Sequence, residues 1–409
     1  MFEITQLPTE ILDLLLDRQG AEPLPFHSLD DATAAVLARS ERPLNLSNLK
    51  TLTDSAAAAF SYHSADLNLS GLEAISDAAA ESLSKHNGNL HLGGLKTLSD
   101  AAAESLSRLG WGLRLGGLKT LSDNALTSLA KHTAYLDLVG LESLSEHQAK
   151  ILSGHTGEIH LGGLTVISDT VADLLGQHKG SLGLRGLHSI SDAAARSLAG
   201  VEGTLYLGGL DSLSDTAAEA LSHHKEALGL RNLSSISDTA AHWLARHQGP
   251  IHLGGLHTLS LPAAQSLATH SFGLHLGGLE DVPDEILIAL AGHRGNLHLG
   301  GLKHLTPEAA EALSHHVGAI VLSGLEELTD AVADHLARHR GVLYLSGLHT
   351  LTDYAARQFA AHEGCLEMIN LSAVSDEALE WLASHRGLVN VGDFNKHLFS
   401  KMTQLVESR

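Results

Sequence analysis

Histidine is the residue in this chain best placed to do chemistry. There are 29 histidines in 409 residues, and most fall in one 23-residue frame. Thirteen share one position of it: His63, His86, His132, His155, His178, His224, His247, His270, His293, His316, His339, His362 and His385. Five more share another: His91, His160, His252, His275 and His298, the last three in consecutive copies. Imidazole titrates near neutrality and binds transition metals, so either set could be a metal or proton ladder. Recurrence argues against this for the thirteen. A catalytic site is local, and this residue is everywhere, so it reads as a helix-ending residue copied with the repeat. The second set lies between two apolar residues, L-x-L or I-x-L, the period of a short strand, and so points away from the core. His252, His275 and His298 would then form a column at the strand spacing of about 4.8 Å. Two residues on from each stands Gly254, Gly277 or Gly300, so no carboxylate or thiol flanks them. Three readings stay open: a plain polar surface, a shared metal, or contact with an acidic partner through protonated imidazoles.

Other chemistry is excluded by pattern. There is no H-E-x-x-H, Walker loop, G-x-S-x-G or acidic calcium loop. The single Cys365 rules out a disulfide framework and a cysteine zinc site. No catalytic residue, metal ligand set or cofactor site is therefore assigned. A net charge of −21 argues against nucleic acid and anionic membranes, which need clustered Lys and Arg. No apolar run approaches the roughly 20 residues of a membrane span, and the MFEITQLPTE start lacks the basic opening of a signal peptide, so the reading is cytoplasmic. A hydrophobic fraction of 44% is enough to build a core.

The elements that position these residues come from the repeat itself. Copies start at Leu44 and every 23 residues thereafter to Leu366, without insertion, as L-x-L-x-G-L-x-x-L-S-D-x-A-A-x-x-L-x-x-H-x-G-x. Positions one, three, six and nine are apolar ladders that predict a stacked inner core. Position five is Gly, or Asn at Asn48, Asn232 and Asn370, which predicts a sharp turn at positive φ. Ser or Thr at position ten, replaced once by Pro283, then Asp or Glu and an Ala-rich run, predict a capped helix N-terminus. His at position twenty, bonding the last carbonyls, and Gly at twenty-two, in a left-handed conformation, are expected to close the helix. A worn copy, with Phe26, Leu29, Asp31, Ala34 and Leu37 in frame, precedes the array.

This pattern resembles the leucine-rich repeat family, and most nearly a bacterial subclass with G-L-x-x-L-S-D-x-A-A repeats. The family's usual Asn or Cys is here replaced by Gly-Leu, as in Gly71-Leu72. The resemblance implies an α/β right-handed solenoid, with a parallel β-sheet on the concave side and short α-helices on the convex side. The expected organisation is an N-terminal cap (1–43), fifteen repeats (44–388), and a partial repeat with a capping helix (389–409). Pro8–Leu16 reads as the first capping helix, although Leu7–Leu12 is also similar to the opening of an F-box helix. Phe394, Leu398, Phe399, Met402 and Leu405 read as the last.

In a solenoid the constant positions encode the fold and the variable ones can encode a ligand. Positions two and four face out from the strands. Their charged members are Arg114, Asp137, Arg185, Arg231 and Glu367, so the face is nearly neutral while the helices and turns carry the acid. Arg and Tyr are favoured at binding hot spots. The candidate partner-binding residues are Arg114, Arg185, Tyr206, Arg231, His252, His275, His298 and Tyr344. The expected function is a non-enzymatic scaffold for a protein or peptide partner, acidic or extended in character. The alternative is a metal- or small-ligand-binding protein using the histidine column. Oligomeric state stays open.

Overall fold

The computed structural model describes residues 22–397 and 400–401. The cap expected at Pro8–Leu16, with Leu398, Phe399, Met402 and Leu405, lies outside the described residues. The chain forms two compact units, residues 1–207 and 208–409. In the first, eight two-residue strands, from Leu44–Asn45 to Leu205–Tyr206, pair in parallel in chain order. In the second, eight more run from Leu228–Gly229 to Val389–Asn390. Every register is one repeat long, as in Leu44↔Leu67 and Ile251↔Leu274. Between strands lies a short helix, typically seven residues, such as Asp77–Leu83. Within each unit the result is two layers, parallel strands and a row of helices, with the core between them.

The apolar positions explain the layers. Leu90, Leu92 and Leu95 of one copy are fully buried, as are Ala103 and Leu106 of its helix. The small alanines let the helix lie close over the strands. The ladder at position nine is shallower than expected: Leu98 and Ile190 are only half-buried.

The helix N-terminus forms as the Ser-Asp pair predicts, and does more. Ser76 accepts a hydrogen bond from the Ala79 N–H at 2.9 Å, capping Asp77–Leu83. Its hydroxyl also donates to Asp54 of the preceding copy. The same link recurs at Ser99–Asp77, Ser122–Asp100, Ser237–Asp215 and Ser260–Asp238, so each cap also ties one repeat to the next. At Pro283 no side-chain cap forms.

The glycines correct an expectation. Among the described residues only Gly392 has positive φ, so neither position five nor position twenty-two uses the left-handed region. The cause is instead close approach between stacked repeats. A Cβ on Gly94 would lie 2.1 Å from the Ser70 carbonyl oxygen, and one on Gly301 2.2 Å from that of Gly277. Asparagine is tolerated there because its amide uses the same carbonyl: Asn370 Nδ2 donates to Ser346 O at 2.7 Å, and Asn48 Nδ2 to Leu24 O at 3.1 Å.

The histidines of position twenty are corrected too. They are core residues, with His63, His155 and His339 fully buried. Where a ring bonds a carbonyl it is one of the preceding repeat, not of its own helix: His86 Nδ1–H donates to Phe60 O (3.2 Å) and His247 Nε2–H to Glu226 O (2.7 Å), while His63, His155, His293 and His339 are buried without a ring hydrogen bond. In the second unit the eight rings from His224 to His385 stack without a break at 5.8–6.5 Å. Burial, and then neighbouring imidazoles, push His293 and His339 down to about 4. His247 is also lowered to about 4, by burial against its bond to Glu226 O.

Candidate functional site

Each strand places position two on the open side of the sheet, and the two units use that face differently. In the second unit, Ile251–His252, Leu274–His275 and Leu297–His298 are neighbouring strands in register. The three imidazoles stack face to face, with centroids 4.0 Å apart from His252 to His275 and 3.7 Å from His275 to His298. Gly254 and Gly277 leave open space beside them. Arg231 Nη2 points a proton at His252 Nδ1 from 3.5 Å, which makes that nitrogen the acceptor. Burial in the stack, then the neighbouring rings and Arg231, push His275 down to about 3. His252 is lowered by burial, Arg231 and His298, and His298 by burial.

Two consequences follow for this column. Burial and the neighbouring positive groups disfavour imidazolium in the free column. What it offers is a row of ring edges, each with one N–H donor and one acceptor. Stacked rings also set their lone pairs side by side rather than toward a common point. Among the described residues no group of three or more His, Cys, Asp or Glu is arranged to hold a metal ion.

Tyr344 stands apart from the column. Its strand pairs with Ile320–Val321 and with Leu366–Glu367, where Ser346 Oγ donates to Glu367 Oε1 at 3.4 Å.

In the first unit the face carries a connected set of rings and guanidinium groups. The Arg114 guanidinium lies 5.7 Å from the Tyr135 ring, and Arg185 lies 4.7 Å from the Tyr206 ring. Between these pairs sits His160, 5.1 Å from Tyr135 and 5.5 Å from Tyr206, both tilted. His160 is nearly buried and its Nε2 meets Glu158 Oε1 at 2.6 Å. Gly183 makes this possible, since a Cβ there would stand 2.9 Å from the His160 ring. Neither arginine forms an ion pair among the described residues, although Asp137 is the strand partner of Arg114. Burial first, and Asp137 next, raise the Tyr135 hydroxyl above its ordinary value.

The structure thus places Arg114, Arg185 and Tyr206 in one cluster, and Arg231 with the histidine column in the other unit. The sequence reading missed Tyr135 and the roles of His160, Glu158 and Gly183. Tyr135 and Glu158 occupy the last position of the repeat, one residue before the strand, which had no face assigned to it. Tyr135 is the one aromatic at that position of the repeats, and this was the available signal.

No protein-family profile matches the chain, and no curated protein gives a significant match. Among solved structures, a leucine-rich-repeat protein of Leptospira interrogans is 19% identical, covering 91% of this chain and 88% of that one, with a TM-score of 0.37. An internalin of Listeria monocytogenes is 15% identical, over 93% and 89%, with a TM-score of 0.35. Drosophila Toll in its complex with Spatzle is 16% identical, over 80% of this chain and 46% of that one, with a TM-score of 0.47. The repeat architecture described above, with its leucine ladder, parallel strands and outer helices, is that of leucine-rich-repeat proteins. Among the described residues no helix is long and apolar enough to cross a membrane.

Proposed function

We propose that this chain is a non-enzymatic interaction scaffold that binds a protein or peptide partner through its strand face. One observation carries the reading. On an acidic protein, the face holds Arg114 and Arg185 on tyrosine rings instead of against carboxylates. A guanidinium fixed on a ring keeps its N–H edge available for a ligand. Arg231, His252, His275, His298 and Tyr344 extend the candidate surface within the second unit. The histidine column favours a row of hydrogen bonds over a metal, because its rings stack instead of converging. The partner is read as protein, since the chain's charge of −21 repels a phosphate backbone.

The test is a paired charge reversal. A partner isolated with the intact chain is titrated against Arg185→Glu and Arg231→Glu, and against the helix-side reversals Arg196→Glu and Arg357→Glu. The strand-face pair is expected to lose at least tenfold in affinity while the helix-side pair keeps it. Equal affinity for all four variants would rule the strand face out.

A further inference from the structure

We propose that the strand face of the first unit is a site for an extended acidic peptide segment. Arg114 and Arg185 each take one carboxylate, and the Tyr135, His160 and Tyr206 rings form the floor between them. This rests on the scaffold reading and assigns it a ligand class and a spacing.

The two guanidinium groups are alike and unpaired. Each lies within cation–π range of a tyrosine, at 5.7 and 4.7 Å, and neither has a carboxylate partner among the described residues. That arrangement occupies the flat face of the guanidinium and restrains its rotamers. It leaves the in-plane N–H edge, which is the edge that binds a carboxylate in a two-bond fork. The floor is held in place from within. Glu158 fixes His160 at 2.6 Å, and the missing side chain at Gly183 lets the ring settle against the sheet. Ring contacts then run from Tyr135 through His160 to Tyr206.

The spacing selects the ligand. Arg114 and Arg185 are three strands apart and offset by two residues along the strand, which places them about 16 Å apart at the usual strand spacing and rise. An extended chain rises about 3.3 Å per residue, so of the spacings that share one face i and i+4, at about 13 Å, come nearest, and the long Arg and Glu side chains cover the remaining roughly 3 Å. A segment crossing the strands with that spacing reaches both arginines at once. Glu158 and Asp137 lie within the same cluster and decide between ligand classes. A peptide can set its two carboxylates at the arginines and offer backbone N–H donors to these acceptors between them, whereas a phosphate backbone brings an anion at every residue, so the observations favour a peptide over a nucleic acid.

The test uses the full-length chain and fluorescently labelled Gly/Ser peptides at low salt, read by anisotropy. One peptide carries two glutamates at i and i+4, a second at i and i+2, and a third has glutamine at both sites. A labelled oligouridylate is the nucleic-acid probe. The i,i+4 peptide is expected to bind at least tenfold more tightly than the other probes. Arg114→Gln and Arg185→Gln should each weaken it about tenfold, with Arg196→Gln, on the helix Asp192–Leu198, without effect and all three variants melting as the parent does. The inference is overturned by no saturable binding at millimolar peptide, by equal affinity across spacings, by unchanged affinity in both arginine variants, or by preference for the oligonucleotide. A partner that maps to the strand face while the peptides fail removes this inference and leaves the scaffold reading standing. Peptides that bind while the partner maps to the helices do the reverse.

Discussion

The second unit carries two histidine ladders, built from the same side chain in opposite surroundings. One runs from His224 to His385 through the core, its rings 5.8–6.5 Å apart. The other, His252 to His298, lies on the open strand face with rings 3.7–4.0 Å apart. Buried rings keep the interval that the backbone imposes, because each is packed in the core between helix end and strand entry. Face rings are free at one end and lean into van der Waals contact. A residue repeated under backbone constraint serves the fold. A short run that is free to rearrange is available to a ligand. The core position even accepts other residues, as buried Leu109 and Val201 show in the first unit.

Acid should separate the ladders most strongly. The buried histidines protonate below their ordinary value of 6.5, with His247, His293 and His339 near 4. The unfolded chain therefore takes up protons first as pH falls. Stability is complete above about pH 6.5 and declines toward pH 4, where the folded rings also protonate. At pH 5 each of these three would account for up to about 2 kcal/mol, and their coupling makes the sum smaller than additive. Denaturant unfolding at pH 7 and pH 5 measures this, and a flat profile would remove the distinction.

Truncation comes next in size. His293→Ala should lose about 2–4 kcal/mol by leaving a cavity between repeats. His293→Leu should stay close to the parent at pH 7 and gain on it at pH 5. The cap ladder sits between the extremes, since it is exposed but fixed by the repeat. Ser260→Ala loses both the Ala263 cap and the Asp238 link and should cost about 1 kcal/mol. Smallest is His275→Ala on the open face, expected to cost less than about 1 kcal/mol in urea unfolding. A cost equal to that of His293→Ala would erase the contrast.

Much of the fold was legible in the repeat because its determinants are local. The L-x-L strand and the Ser-Asp helix start each lie within a few residues, and Ser76 and Leu90 do what their neighbours imply. What was misread depends on the next copy in space. Glycine at Gly94 looks the same in sequence whether it serves positive φ or close approach, and only stacking reveals the Ser70 carbonyl behind it. His86 follows its helix in sequence, yet its partner is the Phe60 carbonyl of the copy before. The candidate site was legible in its arginines, which stand at strand positions two and four. Tyr135 and Glu158 were hidden because a side chain one residue before the strand can still reach the face. The same spacing that identified the histidine column could not show that its rings stack, or that burial there disfavours their charged form.

Histidine modification by diethylpyrocarbonate, mapped by mass spectrometry at pH 7, tests the central claim most directly. In the free protein His252, His275 and His298 should react while His247, His293 and His339 are protected. With a partner bound, the strand-face column should become protected and the core ladder should not change. Equal reactivity of the two ladders, or a bound partner that leaves every strand-face histidine as reactive as before, would contradict the account.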